Sequence, residues 1–258
     1  ALVIARKLGL EADVATYLTH IGEVYHSWGQ YDKALKNHEE ALAIARKLGQ
    51  EGNAATYLTH IGWVYHNWGR YDKALKYYKE ALVIAKKLGL EGSVATLLNN
   101  IGGVYNSWGQ YDKAIKNHEE ALVIARKLGQ EGNAATHLNN IGVVYYSWGQ
   151  YDKAMKYYEE ALATFKKLGL EGSVATLPNN IGNVYYLQGK YKTAIKYYTE
   201  SVRKKEKLRK TATGDVRRDY LASQLYTYQW LTSAYIRDSD IPSAFQTVEL
   251  SRAKLLAE

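Results

Sequence analysis

The chain has 258 residues, 47% hydrophobic and 23% charged, with a formal net charge of +8 and no cysteine. That apolar content excludes an unstructured chain, and the lack of cysteine excludes disulfides, thiolate chemistry and Cys-ligated zinc. No run reaches about 18 unbroken apolar residues and no charged-then-apolar leader is present, so no membrane span is predicted and a cytoplasmic location is expected.

The composition is skewed: 24 Tyr, 6 Trp and 21 Gly stand against 2 Phe and 2 Pro. Such skew points to one short unit copied many times, and internal repeats bear on the fold before anything else. In chain order, residues 1–8 (ALVIARKL) match 43–48 (AIARKL), the end of a second helix, so the chain opens inside a truncated preceding repeat. Five copies of a 40-residue unit follow over 11–209. Trp28, Trp68, Trp108 and Trp148 mark four of them, each followed by Gly-x-Tyr; the fifth has Gln188 but keeps Gly189 and Tyr191. Nineteen of the 21 glycines occupy four repeat positions.

One unit, residues 55–89, shows the local logic. Leu58, Ile61, Gly62 and Tyr65 recur at helical spacing and predict a first helix over about 54–67. Ala74, Leu75, Tyr78, Ala81, Leu82 and Ala85 predict a second over about 71–88. Gly62 and Ala74 are small where two antiparallel helices must approach. Gly69 permits the turn between them. Asp72 suits the N-terminal end of the second helix dipole. Gly89 ends that helix and Gly92 is expected to open a loop. His38 and His118 stand where Tyr78, Tyr158 and Tyr198 stand, so they are predicted core residues. Pro178, inside the fifth first helix, predicts a late start or a kink there. No alternating β-branched runs occur, so no strands are predicted.

Beyond the fifth copy, Tyr185 and Tyr235 are 50 residues apart rather than 40. The insertion falls around 207–219 and predicts a longer helix pair or a flexible loop. Leu231, Tyr235, Ile241, Ala244 and Val248 then outline a divergent sixth pair within 210–258. Pro242 fits the first turn of its last helix. The chain begins and ends within apolar helices, without polar caps, so a fragment of a longer protein is expected.

The pattern Leu58, Ile61-Gly62, Tyr65, Gly69-x-Tyr71, Ala74, Tyr78, Ala81 resembles the tetratricopeptide repeat (TPR), here 40 residues rather than the usual 34. The extra six are expected to lengthen the second helix and the loop after it. This longer form resembles the repeats of kinesin light chains and other peptide-gripping adaptors. The closing stretch AFQTVELSRAKLLAE resembles, over about 15 residues, the region preceding a caspase-like CHAT protease domain. The family resemblance implies an all-α, right-handed superhelix whose first helices line a concave groove.

At about 100° per residue, the face of each first helix opposite its core carries five columns. These are Thr16/56/96/136/176; Thr19, Thr59, Asn99, Asn139, Asn179; His20, His60, Asn100, Asn140, Asn180; Glu23, Trp63, Gly103, Val143, Asn183; and His26, His66, Asn106, Tyr146, Tyr186. An Asn amide both donates and accepts, matching a peptide unit. The resemblance implies that Asn100, Asn140 and Asn180 grip a peptide backbone; the alternative is that the Asn columns bond neighbouring helices and fix the superhelix. Trp63, Tyr146 and Tyr186 are candidate anchors, with inter-repeat packing the alternative for Trp63. His20, His26, His60 and His66 share one side, but only Glu23 accompanies them, and a hydrogen-bonding groove is preferred to a metal site. HEEAL at 38–42 and 118–122 lacks the second His of the zinc motif.

Residues 190–218 hold 11 Lys/Arg and 3 Asp/Glu, a net +8 equal to that of the whole chain. Their centre is Arg203, Lys204, Lys205, Lys207, Arg209 and Lys210. Three readings stand: a solvated helix, a patch for an acidic partner, or nucleic-acid contact with salt-sensitive affinity. No base-reading motif supports the last. Phosphate-loop, dinucleotide and nucleophile-elbow motifs are absent, so neither catalysis nor a cofactor is expected. The sequence therefore points to an interaction module that holds a peptide or partner helix. Two alternatives are a regulatory arm packing on its own C-terminal effector domain, as in a CHAT-type protease, and a module stacking end to end with itself.

Overall fold

The computed structural model describes residues 1–211 and 214–256, without the side chains of 214–220 and 255–256. All described regular structure is α-helical. The chain divides into two compact units, Ala1–Gln130 and Glu131–Glu258.

Unit 1 contains α1 (Leu2–Lys7), α2 (Glu11–Ser27), α3 (Tyr31–Lys47), α4 (Glu51–Asn67), α5 (Tyr71–Lys87), α6 (Glu91–Ser107) and α7 (Tyr111–Lys127). The helices α2 and α3, α4 and α5, and α6 and α7 form antiparallel pairs, and α3 and α5 each also pack on the first helix of the next pair. Every helix from α2 to α7 has 17 residues, joined by three-residue links. The predicted loop at Gly92 is absent: Glu91 already begins α6, and α4 begins at Glu51 rather than 54. The six additional residues thus extend both helices of the hairpin and leave the link short.

The links are short because glycine makes them so. Gly69 sits at φ +74°, a left-handed conformation that other residues adopt only with strain. Its N–H donates to His66 O at 2.9 Å and the Arg70 N–H to Tyr65 O at 2.9 Å, a Schellman closure of the last turn. The same pair of bonds recurs at Gly89, from the Gly89 N–H to Lys86 O and the Leu90 N–H to Ala85 O. Within each pair a second glycine sets the approach. A Cβ on Gly62 would lie 2.8 Å from Tyr78 Cδ1, and one on Gly22 would lie 2.6 Å from His38 Cε1. The core is Leu58, Ile61, Val64, Ala74, Tyr78, Ala81 and Ala85, all buried, as are their counterparts in α6 and α7; in α2 the counterparts Ile21 and Val24 are half-buried and exposed, respectively. His38 and His118 are buried with them, as their register predicts.

Exposed ion pairs lace the outside of unit 1. Lys47–Glu11 (2.5 Å), Lys87–Glu51 (2.6 Å) and Lys127–Glu91 (2.6 Å) each tie the end of a second helix to the start of its partner. Arg6–Glu40 and Arg46–Glu80 tie successive second helices. Each such pair is worth about 0–1 kcal/mol.

Unit 2 contains α8 (Glu131–Ser147), α9 (Tyr151–Lys167), α10 (Glu171–Leu187), α11 (Tyr191–Thr211), α12 (Gly214–Arg237) and α13 (Ile241–Leu256). α10 keeps the length and starting register of its siblings although Pro178 lies inside it, so the late start expected from that proline does not occur. The 50-residue spacing comes from long helices: α11 has 21 residues and α12 has 24. Residues 212 and 213, within the expected insertion, lie outside the described residues. At the turn before α13, Ser239 takes the place of glycine at φ +63°. Asp240 Oδ1 accepts the Ser243 N–H at 3.1 Å and caps α13.

Candidate functional site

In unit 1 the first helices α2, α4 and α6 place several of the expected residues side by side. The His26 and Trp63 rings stack with centroids 3.5 Å apart, and Trp63 stays 39% exposed. Its packing and anchoring readings are thus compatible. Glu23 Oε1 lies 3.8 Å from His60 Nδ1. His66 Nε2 and Ser107 Oγ share a hydrogen bond of 3.0 Å. Gly103 leaves room beside His66, whose ring would be 3.8 Å from an added Cβ.

Burial sets the charge of these rings. It lowers the pKa of His26 and of His66. For His60, burial lowers the pKa, the Glu23 carboxylate opposes this and His20 adds to it. Beneath them His38 is fully buried, stacks on His60 at 5.2 Å, and has no hydrogen-bond partner on either ring nitrogen. Burial, then His60 and His26, push its pKa down to about 4. These rings are neutral at pH 7. Among the described residues no group of three or more His, Asp or Glu is placed to hold a metal ion.

Between α4 and α6 lies a cleft of 460 Å³. Ala55, Ala85 and Leu97 line it with apolar surface, and Thr56, His60 and Thr96 among others supply polar groups. The signal for it lay in the repeat comparison. Position 97 is Leu where the preceding copy has the buried Tyr57, and position 85 is Ala where a later one has the buried Phe165.

The Asn columns behave partly as internal struts. In unit 1, Asn99 Oδ1 and His118 Nδ1 are 3.1 Å apart, whereas Asn100 and Asn106 are half-buried. In unit 2, Asn180 Nδ2 donates to Asn139 Oδ1 at 3.1 Å, linking α10 to α8, and Asn139 Nδ2 donates to Asn140 Oδ1 at 3.3 Å. Tyr186 packs edge-on against Trp230 at 5.3 Å, and Tyr146 lies against Tyr151 at 6.1 Å.

Three expected groove residues do not face open solvent. Thr19 is buried and donates to Ala15 O of its own helix at 3.0 Å. Asn179 is buried. Asn183 is buried and accepts the Tyr198 hydroxyl at 2.8 Å. Thr59 likewise donates to Ala55 O at 2.8 Å but keeps partial exposure. His20 is exposed.

In the basic segment, Lys205 and Arg209 do not belong to an open surface row. Lys205 is buried at the position of Ala85 and Phe165, and its ammonium donates to Ser223 O (3.2 Å) and Thr227 Oγ1 (3.0 Å). Burial lowers its pKa to about 8. Arg209 turns in to Glu206, which also accepts from Lys254 (2.5 Å) and Gln224 (3.1 Å). The Arg209 bond first, then Lys254 and Gln224, hold the Glu206 carboxyl down at about 2 against the effect of burial. Lys204 pairs with Glu200 at 3.0 Å. Arg203, Lys207 and Lys210 remain exposed.

Stacked antiparallel helix pairs with glycine-closed links and small–large contacts between partners define an all-α helical-repeat protein. Family models described as tetratricopeptide repeat match residues 13–87, 93–167 and 174–210. The chain belongs to the tetratricopeptide repeat family. Solved structures share its fold. BtubC (BKLC) from P. vanneervenii is 24% identical with a TM-score of 0.73, covering 88% of this chain and 91% of that one. The apo form of the quorum sensor NprR from B. thuringiensis is 21% identical with a TM-score of 0.66, covering 95% and 66%. NprR in complex with its cognate peptide NprX is 22% identical with a TM-score of 0.62, covering 93% and 66%. No curated protein matches the sequence. No described helix is long and apolar enough to cross a membrane.

Proposed function

We propose that the chain is a non-catalytic interaction module that holds an extended peptide against its first helices. The observation that carries this reading is the unit 1 surface of α4 and α6. There a 460 Å³ cleft with apolar walls adjoins His60, and the same helices present Trp63, His66 and Gly103. The walls suit an apolar side chain, and the imidazole and hydroxyl groups among them suit the peptide units on either side. NprR, which shares the fold, has been solved with its cognate peptide. Peptides of about 12 residues selected from a random display library on this protein should lose at least about tenfold in affinity with Trp63→Ala plus His66→Ala. They should keep it with Lys76→Ala on α5. Equal affinity for all three proteins contradicts the proposal.

A second reading rests on α13, where Ile241, Phe245 and Val248 share one face and are exposed at 59%, 68% and 39%. An apolar face of this kind favours association with another copy of the chain. Light scattering over a concentration series tests it, and a strict monomer counts against it.

A further inference from the structure

We infer that α11 carries a second binding site, separate from the first-helix surface, for an extended acidic peptide segment. Lys192, Lys196, Arg203, Lys207 and Lys210 fall within about 60° of one face of the helix at 100° per residue. All five are exposed. Lys196 and Lys207 recur as lysines in the other second helices, but the full row belongs to α11. Where it has Lys192, the other second helices have Asp32, Asp72, Asp112 and Asp152; where it has Arg203, they have Ala43, Val83, Val123 and Ala163. The end of the same helix opens a cleft of 390 Å³ lined by Glu171, Arg203, Lys204, Lys207 and Leu208. The matching place in unit 1 is also a cleft, of 370 Å³, but there the lysine pairs with the first residue of its partner helix, Lys47 with Glu11 at 2.5 Å, and Ala43 and Ile44 stand where α11 has Arg203 and Lys204. At α11 that place is a cleft with Lys207 on one side and Glu171 on the other.

The geometry fixes the class of ligand. From Lys192 to Lys210 the row runs about 27 Å at 1.5 Å per residue. That length matches about eight residues of extended chain at 3.3 Å each, with one carboxylate seated between Arg203 and Lys207. Lys204 is held by Glu200 at 3.0 Å and flanks the cleft. A single-stranded nucleic acid fits less well, because it needs aromatic faces on which bases stack. The rings near the row are already used: Tyr197 stacks on Tyr185 at 5.5 Å and Tyr198 is buried.

The test is fluorescence anisotropy at low salt with a labelled Asp-Glu-Ser repeat peptide of about ten residues, against its Asn-Gln-Ser analogue. The acidic peptide should bind and the neutral one should not. Arg203→Val with Lys204→Ile copies Val83–Ile84, so it keeps the helix of its siblings, and it should weaken binding at least about tenfold. Lys207→Gln alone should weaken it in the same direction. Lys36→Ala with Lys116→Ala removes two exposed charges elsewhere and should leave binding unchanged. Circular dichroism melts establish that each variant is folded. Absence of binding, equal loss in the charge-matched control, or tighter binding of an oligothymidylate sensitive to the same substitutions would overturn the inference.

Discussion

Replacing His38 by Tyr and His60 by Asn rebuilds, in unit 1, the Tyr78–Asn100 combination that the next hairpin carries. The fit is favourable, because Gly22 faces position 38 as Gly62 faces Tyr78. The exchange should change the acid stability of the protein. His38 is held at about 4 in the folded chain, by burial first and then by His60 and His26. In the unfolded chain it returns to about 6.5. The unfolded state therefore takes up the proton first, so the contribution is full above about pH 6.5 and is lost as the pH falls towards 4. The gap of about 2.5 pH units (6.5 − 4) corresponds to about 3 kcal/mol at 1.36 kcal/mol per unit. His60, itself lowered by burial, adds in the same direction. Urea unfolding followed by tryptophan fluorescence between about pH 7.5 and 4.5 measures the loss. The double variant should lose about 3 kcal/mol less than the parent over that range. Parallel losses in both proteins would refute the role given to His38.

Four further substitutions test the packing. Gly62→Ala puts a Cβ 2.8 Å from Tyr78 Cδ1 and should cost about 1–3 kcal/mol. Gly52→Ala, in a helix with nothing within 4 Å, should add about 0.5–1 kcal/mol. Thermal melts should therefore move in opposite directions for these two changes. Ser239→Gly relieves a left-handed residue at φ +63° and should raise stability by about 1 kcal/mol, read from the same melts. Asn180→Ala removes the 3.1 Å bond to Asn139 and should lower the melting temperature of unit 2, by about 1 kcal/mol in stability. An unchanged melt would show that the Asn180–Asn139 bond adds nothing to the fold.

The helix pairs are legible in the sequence because one 40-residue spacing repeats, so small residues such as Gly62 and large ones such as Tyr78 identify each other across copies. The short links are less legible. Gly92 reads like a loop residue, yet the hydrogen bonds that close the helix at Gly89 leave the next helix free to begin at Glu91. Periodicity places residues on a face but not at a depth. Thr19, Asn179 and Asn183 belong to columns whose other members keep at least partial exposure, and are nonetheless covered. Lys205 is the sharpest case. A run of cations reads as a solvated patch, but position 205 is the buried position of Ala85 and Phe165, and backbone and hydroxyl acceptors on α12 take its ammonium. The cleft between α4 and α6 is visible only when the copies are compared for volume, with Leu97 set against Tyr57 and Ala85 against Phe165.

The central claim is that the first-helix surface of unit 1 receives a peptide. Photo-crosslinking measures this directly, with a display-selected peptide carrying benzophenone and mass spectrometry locating the attachment. Attachment to α4 and α6, around the cleft that Thr56, His60 and Thr96 line, is the result expected. Attachment confined to α3 or α7 would contradict the account.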